Sequence, residues 1–328
     1  MKKIKIITSS LLIFCFFAYF GIGFYIASSI LKMDTSCGLH QNSLPNTWST
    51  MIDAHEYTNY SRRNLRENFP SEKYHLEDWQ DVYFPSREKG IKLKGWLFDY
   101  FPNRPIVVVV HGIFPNGKCK PESNLIASLL ISKNINALTI DRRNYGESDT
   151  VSKYEDLGLR AYKDVLGAVD FLQEIDFNIN EIGLHGISLG ASSTIFAAAE
   201  DENIRAIWTD SSLAEFNLIL KDEIARYGLP NIFGPAVSLG GKILTGLDPS
   251  DLNPAKKLSS KQNYFFTHGE KDLRVLVHHF EYFKNFSKEN NIKSNFWLIP
   301  DAYHVDAMFK YPDQYANKMQ LFFEANLK

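Results

Sequence analysis

The stretch IGLHGISLGASS occupies residues 182–193. Glu181 to His185 carries the short apolar pattern of a strand, and Ala191 to Ala199 reads as a helix. The intervening Gly186-Ile187-Ser188-Leu189-Gly190 predicts a sharp strand-to-helix turn with a serine at its apex. Glycine on both sides supplies neighbours without bulk, which such a turn needs. Ser188 then projects above the sheet. The N–H of Leu189, at the helix N-terminus, points to where negative charge would develop. The five-residue pattern is common by chance, and its bland reading is a plain glycine-rich turn. The strand before it and the helix after it make Ser188 a candidate nucleophile.

Working outward, strand-like and helix-like segments alternate. Ile91 to Tyr100 alternates apolar and polar residues, as a half-buried strand near a sheet edge does. Pro105 to Val110 is β-branched and apolar on both faces, which suits a central strand covered on both sides. Short strands follow at Asn136–Ile140, Ile204–Thr209, Tyr264–Thr267 and Asn295–Ile299. Tyr154 to Ile175 has helical periodicity, with Leu157, Ala161, Val165, Ala168, Val169 and Leu172 on one stripe. A last helix is expected from Tyr315 to Ala325. This alternation predicts an α/β fold with a mainly parallel central sheet and helices on both faces. Functional groups in such sheets follow the carboxyl ends of strands.

Three other positions meet that condition. His111-Gly112-Ile113-Phe114 follows the valine strand, and the N–H of Ile113, rather than that of Phe114, is taken as a second oxyanion donor. His111 itself reads as a brace for the loop. His268-Gly269-Glu270-Lys271-Asp272 follows the strand ending at Thr267. Asp272 and Glu270 both qualify as the acid that orients an imidazole, and Asp272, further into the loop, is chosen. Asp301-Ala302-Tyr303-His304 follows the strand ending at Ile299 and offers His304 as general base. His278 and His279 fall on a helix and read as surface or packing residues, and His185 as buried structure. The chain order Ser188, Asp272, His304 is the serine, acid, histidine order of one class of triad enzymes.

The 328 residues are 45% hydrophobic and 23% charged, enough for a full core. A net charge of −2 with no basic run argues against nucleic acid as a partner. No cofactor motif appears. No Cys or His cluster has metal spacing. Of the three cysteines, Cys15 lies in an apolar segment, and Cys37 and Cys119 are read as unpaired thiols, with a disulfide as the alternative. Lys2, Lys3 and Lys5 precede an uncharged apolar stretch from Ile6 to Leu31. It exceeds the core of a cleavable signal and is long enough to span a bilayer, so residues 1–34 are expected to be an uncleaved signal anchor. Ala27, Ser28 and Ser29 keep cleavage, and a secreted form, as the alternative. The lysines place the N-terminus in the cytoplasm and the domain outside. Residues 35–79 carry scattered aromatics and read as an ordered lead-in.

The segments VVVVHGIF, ALTIDRRNYGESD, IGLHGISLGASS, THGEKD and DAYH together resemble the α/β-hydrolase superfamily over roughly residues 80–328. Within it the chain looks most like membrane-anchored hydrolases of the Bem46 type and the serine aminopeptidase-like S33 group. The resemblance implies a triad of Ser188, Asp272 and His304. It implies structural roles for Asp141, Arg143, Gly146 and Ser148, and for Asp210-Ser211-Ser212. It also implies a short helical lid in the insertion between Leu213 and Lys261. Ile232, Phe233, Val237 and Leu239 there either line an acyl site or pack on the core. Ile113-Phe114-Pro115 departs from the small residues common after His-Gly and puts bulk beside the oxyanion site. The expected chemistry is hydrolysis of an ester-like bond in a small acyl substrate through an acyl-enzyme. A serine peptidase of aminopeptidase type is the alternative within enzymes. A non-catalytic, membrane-anchored binding protein is the alternative outside them.

Overall fold

The computed structural model of the protein describes residues 2–33, 43–50, 68–113 and 121–328. Cys37, Cys119, Phe114, Tyr57 and Tyr60 lie outside them.

Eight strands form one sheet in the order β1-β2-β4-β3-β5-β6-β7-β8. They are β1 (Gln80–Pro85), β2 (Lys92–Phe98), β3 (Ile106–Val110), β4 (Asn136–Asp141), β5 (Ile182–Ile187), β6 (Ala206–Asp210), β7 (Asn263–Gly269) and β8 (Lys293–Ile299). β2 pairs antiparallel with both β1 and β4, and every pairing from β4 through β8 is parallel. The strand β1 has no counterpart among the sequence expectations. Its exposed residues break the apolar alternation that would mark it.

The valine run shows why the sheet is covered twice. Val107 and Val109 enter one apolar layer, and Ile106, Val108 and Val110 enter the other. The first layer is closed by α2 (Pro121–Ile131), α8 (Ala307–Lys310) and α9 (Pro312–Asn326). The second is closed by α3 (Tyr162–Glu174), α4 (Leu189–Glu200) and α7 (His278–Glu289). Trp48 and Leu76 of the lead-in are buried in the first layer, where Trp48 stacks on Phe69.

One helix is shorter than its periodicity. The stripe beginning at Leu157 does not start α3, because Leu157 and Gly158 both adopt positive φ. That turn ejects Leu157 from the helix and, as described below, sends it to the site.

The insertion between β6 and β7 folds as α5 (Phe216–Arg226) and α6 (Gly234–Thr245), followed by short 3₁₀ turns. The N-terminal segment is one helix, α1 (Lys2–Leu31), and Ile7–Leu31 is long and apolar enough to cross a membrane. Its last turns pack on α6, with Ile26 and Ala27 buried against Ile224 and Val237.

Candidate active site

β5 ends at Ile187 and α4 begins at Leu189, so Ser188 alone makes the turn. Its backbone sits at φ 52°, ψ −118°, a conformation that costs roughly 1–3 kcal/mol for a residue with a side chain. The turn is tied down on both sides. The Ser188 N–H donates to the Asp210 carbonyl at 2.8 Å, and the Ser188 carbonyl accepts from the Ala191 N–H at 3.0 Å. The flanking glycines are required by close approach. A methyl on Gly190 would lie 2.3 Å from the Val110 carbonyl oxygen, and one on Gly186 2.4 Å from the Ala191 Cα. Helix α4 is thereby pressed onto the end of β3, which brings the His111-Gly112-Ile113 loop beside the serine.

The residues chosen from sequence come together around it. The Ser188 hydroxyl lies 2.9 Å from His304 Nε2, and His304 Nδ1 lies 2.7 Å from Asp272 Oδ2. Asp272 Oδ1 accepts the N–H groups of Arg274 and Val275 at 2.8 and 2.9 Å. Burial pushes the Asp272 carboxyl up, but His304, His268 and the Val275 N–H outweigh it and hold the group below the usual carboxylate range. An ionised Asp272 fixes the proton on His304 Nδ1 and leaves the Nε2 lone pair facing the serine. Glu270 is exposed on the same loop and accepts the Asp301 N–H at 3.4 Å.

Behind the histidine lie Asp210, Ser211 and His185, read from the sequence as structural, together with Val305, Tyr315 and Trp208, which the sequence did not mark. Val305 follows the histidine at φ 57°, a strained value for a β-branched residue. Its N–H is held by the Ser211 hydroxyl at 3.1 Å, and that hydroxyl donates to Asp210. The Tyr315 hydroxyl donates to Asp210 Oδ2 at 2.8 Å and accepts from Trp208 Nε1 at 2.9 Å. His185 completes this buried group at 3.0 Å from the same hydroxyl. Burial pushes His185 down to about 3, so it stays neutral, and pushes Asp210 up to about 6 against the pull of Tyr315 and Ser211.

His111 braces the loop after β3, as its sequence position suggested. Its Nδ1 pairs with the Gly112 carbonyl at 2.7 Å, and its Nε2 accepts the Arg142 N–H at 3.1 Å. Arg142 also donates to the Gly112 carbonyl at 3.2 Å. Its guanidinium is buried against Glu155, whose N–H donates to the Leu31 carbonyl at the end of α1.

Ser188 opens into an apolar cavity walled by Ile113, Leu157, Leu189, Leu213, Phe216 and Leu252. Of the four lid residues singled out in the sequence, Val237 lines this cavity, Phe233 stacks on Tyr19 of α1, and Ile232 and Leu239 face outward.

Among the described residues, Asp222, His278 and His279 form a cluster of the kind that could hold a metal. Its hydrogen bonds oppose that use. His279 Nδ1 accepts the Ala214 N–H at 3.0 Å, which assigns its proton to Nε2, facing Asp222. The Nε2 atom then has no lone pair to give. The cluster ties α5 to α7.

The prolyl oligopeptidase family matches residues 124–328. A thiohydrolase, AneE, from Aspergillus aculeatus is 32% identical over 127 residues, which are 38% of this chain and 39% of that protein. The match therefore spans about two fifths of that relative's length. Among solved structures, the Pyrococcus furiosus esterase Pf2001 superposes with a TM-score of 0.62 at 21% identity, covering 80% of this chain and 96% of its own. A Pyrococcus horikoshii acylaminoacyl peptidase gives a TM-score of 0.56 at 18% identity, over 77% of this chain and 42% of its own. With its open, mostly parallel sheet and its serine at the turn after β5, the chain belongs to the prolyl oligopeptidase family, within the α/β-hydrolase superfamily.

Proposed function

We propose that this protein is a serine hydrolase of ester-like acyl bonds, with Ser188 as nucleophile, His304 as general base and Asp272 as the acid that orients it. The observation that carries the reading is the unbroken line from Ser188 to His304 at 2.9 Å and on to Asp272 at 2.7 Å, at the floor of an apolar cavity. Ser188 Oγ attacks the acyl carbon while His304 Nε2 takes its proton. The carbonyl oxygen becomes an oxyanion facing the N–H groups of Leu189 and Ile113. Collapse expels the alcohol, which leaves with the proton from His304. Water then gives a proton to His304 and attacks the acyl-enzyme, and the acid departs as Ser188 regains its proton.

Cavity chemistry favours esters over peptides with free amino termini. An aminopeptidase site needs a carboxylate for the substrate's ammonium. Glu223 is the one carboxylate among the described lining residues, and it is ion-paired with Arg274 and Arg226. A binding protein without catalysis would have no use for the strained Ser188 backbone or for the acid behind His304.

The same reading divides the chain into a membrane anchor (residues 1–34), a lead-in (35–79) and a hydrolase domain (80–328) with its lid at about 213–261. The N-terminal lysines keep that end in the cytoplasm and the domain faces outward.

A fluorophosphonate tests the assignment. The wild-type protein should label and Ser188→Ala should not, and equal labelling of the two sinks the proposal. Rates on acyl esters and on aminoacyl anilides then separate esterase from peptidase.

A further inference from the structure

The anchor helix does more than leave the domain. Ala27, Ile30 and Leu31, at its end, line the same cavity as Ser188. Facing them from the lid are Val237, Ser238 and Gly241. One wall of the cavity is thus built jointly by α1 and α6.

The two helices run side by side in the same direction. Tyr19 stacks on Phe233 and donates to the Ile232 carbonyl at 2.7 Å, Gly23 meets Ala236, and Ala27 meets Gly240. Each helix offers two small residues four apart at the seam. A methyl on Gly23 would lie 2.4 Å from the Ala236 Cβ, and one on Gly240 3.0 Å from the Ala27 Cβ. Backbones approach this closely where small residues pair helices inside membranes. From Tyr19 to Leu31 the seam runs about 18 Å.

The outer side of the seam is apolar and open. Phe16, Phe20 and Phe24 of α1 form a groove with Leu239 and Ile243 of α6. Ile232 and Ile243 are 69% and 64% exposed. The α1 side of this surface lies within Ile7–Leu31, the stretch long enough to cross a bilayer. Hydrocarbon that surrounds α1 would therefore meet the outer face of α6 as well.

Resting on the acyl-hydrolase reading above, we propose that α6 lies against the lipid of the leaflet on the domain's side, and that the cavity takes the acyl chain of a membrane amphiphile. The anchor is then part of the acyl-binding wall. Occupant and entry route follow from one feature, the joint α1–α6 wall with apolar cavity on one side and exposed apolar surface on the other.

The test uses the full chain in phosphatidylcholine vesicles. The first readout needs no catalysis: a phosphatidylcholine carrying a diazirine on its acyl chain is photolysed with the Ser188→Ala protein. Crosslinks should map to Ile232 just before α6, to Leu239 and Ile243 on it, and to Leu252 or Val275 inside the cavity. Crosslinks confined to residues 7–25 overturn the proposal, as does an α6 that crosslinks to a second copy of the chain instead of lipid. The second readout is the ratio of rates on p-nitrophenyl palmitate and p-nitrophenyl butyrate. Ile30→Trp, which fills the cavity from the anchor side, and Gly23→Leu, which parts the helices, should each lower that ratio by roughly tenfold or more. An unchanged ratio in both overturns the proposal. If the wild type neither labels with a fluorophosphonate nor turns over an ester, the acyl-hydrolase reading fails, and the crosslinks at Leu252 and Val275 alone decide where lipid binds.

Discussion

Glu155 holds the Arg142 guanidinium through both carboxylate oxygens at 3.2 Å, in a pocket where both side chains are almost sealed from water. Burial opposes the charge on Arg142, but Glu155 and the ring of Tyr145 favour it more, and the guanidinium stays charged. The pair holds the Gly112 carbonyl from one side while its own backbone reaches the end of α1 from the other. Breaking one partner leaves a buried charge alone, at a cost of about 3–5 kcal/mol. Glu155→Gln should lose that much stability in a denaturant melt and lower kcat by loosening the oxyanion loop. The double variant Arg142→Met with Glu155→Leu should recover much of the stability. If Glu155→Gln melts like wild type, the pair contributes nothing.

Asp272→Asn should lower kcat by about 10⁴-fold with little change in KM, because the amide favours the wrong histidine tautomer. The carboxyl sits below its usual range because His304, His268 and the Val275 N–H outweigh the burial that pushes it up. Its contribution to stability is therefore complete above the unfolded value of about 3.9 and is lost as pH falls below it. Thermal melts of wild type and variant should converge under strong acid. A kcat within tenfold of wild type would remove Asp272 from the mechanism.

Asp210 works with the opposite sign. Burial, partly offset by Tyr315 and Ser211, pushes it up to about 6. Between about pH 4 and pH 6 the folded protein keeps a proton that the unfolded chain has released, so stability falls as pH rises through that window. A shift of this size is worth about 3 kcal/mol. Asp210→Asn has nothing to ionise, so its melting temperature should gain on wild type from pH 4 to pH 6 and track it above. Parallel melting curves across the window would show that Asp210 is ionised throughout.

Gly190→Ala places a methyl against the carbonyls of Val110 and His111, neither of which can swing aside. A loss of about 2–3 kcal/mol is expected, together with slower fluorophosphonate labelling as the loop and the helix separate. Unchanged labelling and stability would mean that the turn has more room than its geometry shows.

The candidate site residues were legible because each follows a strand. A β-branched run marks β3, and a loop residue directly after a parallel strand is forced to the same edge of the sheet as its neighbours. That logic reached the superfamily, and it singled out Ser188, Asp272 and His304, whose side chains the structure brings within hydrogen-bond distance of one another. The branch named from the motifs, the Bem46 type, is not the family that matches residues 124–328. Leu157 was misplaced because its helical spacing continues across a turn that two positive-φ residues interrupt. Tyr315 and Arg142 act through long-range bonds that no local pattern encodes. Ala27 reads in the sequence only as one of the small residues that keep cleavage as an alternative, and its packing against Gly240 of the paired helix α6 is a long-range contact that no local pattern shows.

That helix pair bears on how the protein should be produced. A truncated form beginning after Leu31 would uncover Ile224 and Val237, now buried beneath Ile26 and Ala27, and would open the cavity to water from the anchor side. Such a preparation would tend to aggregate through the exposed lid. Its preference among acyl chains would be that of a half-built pocket.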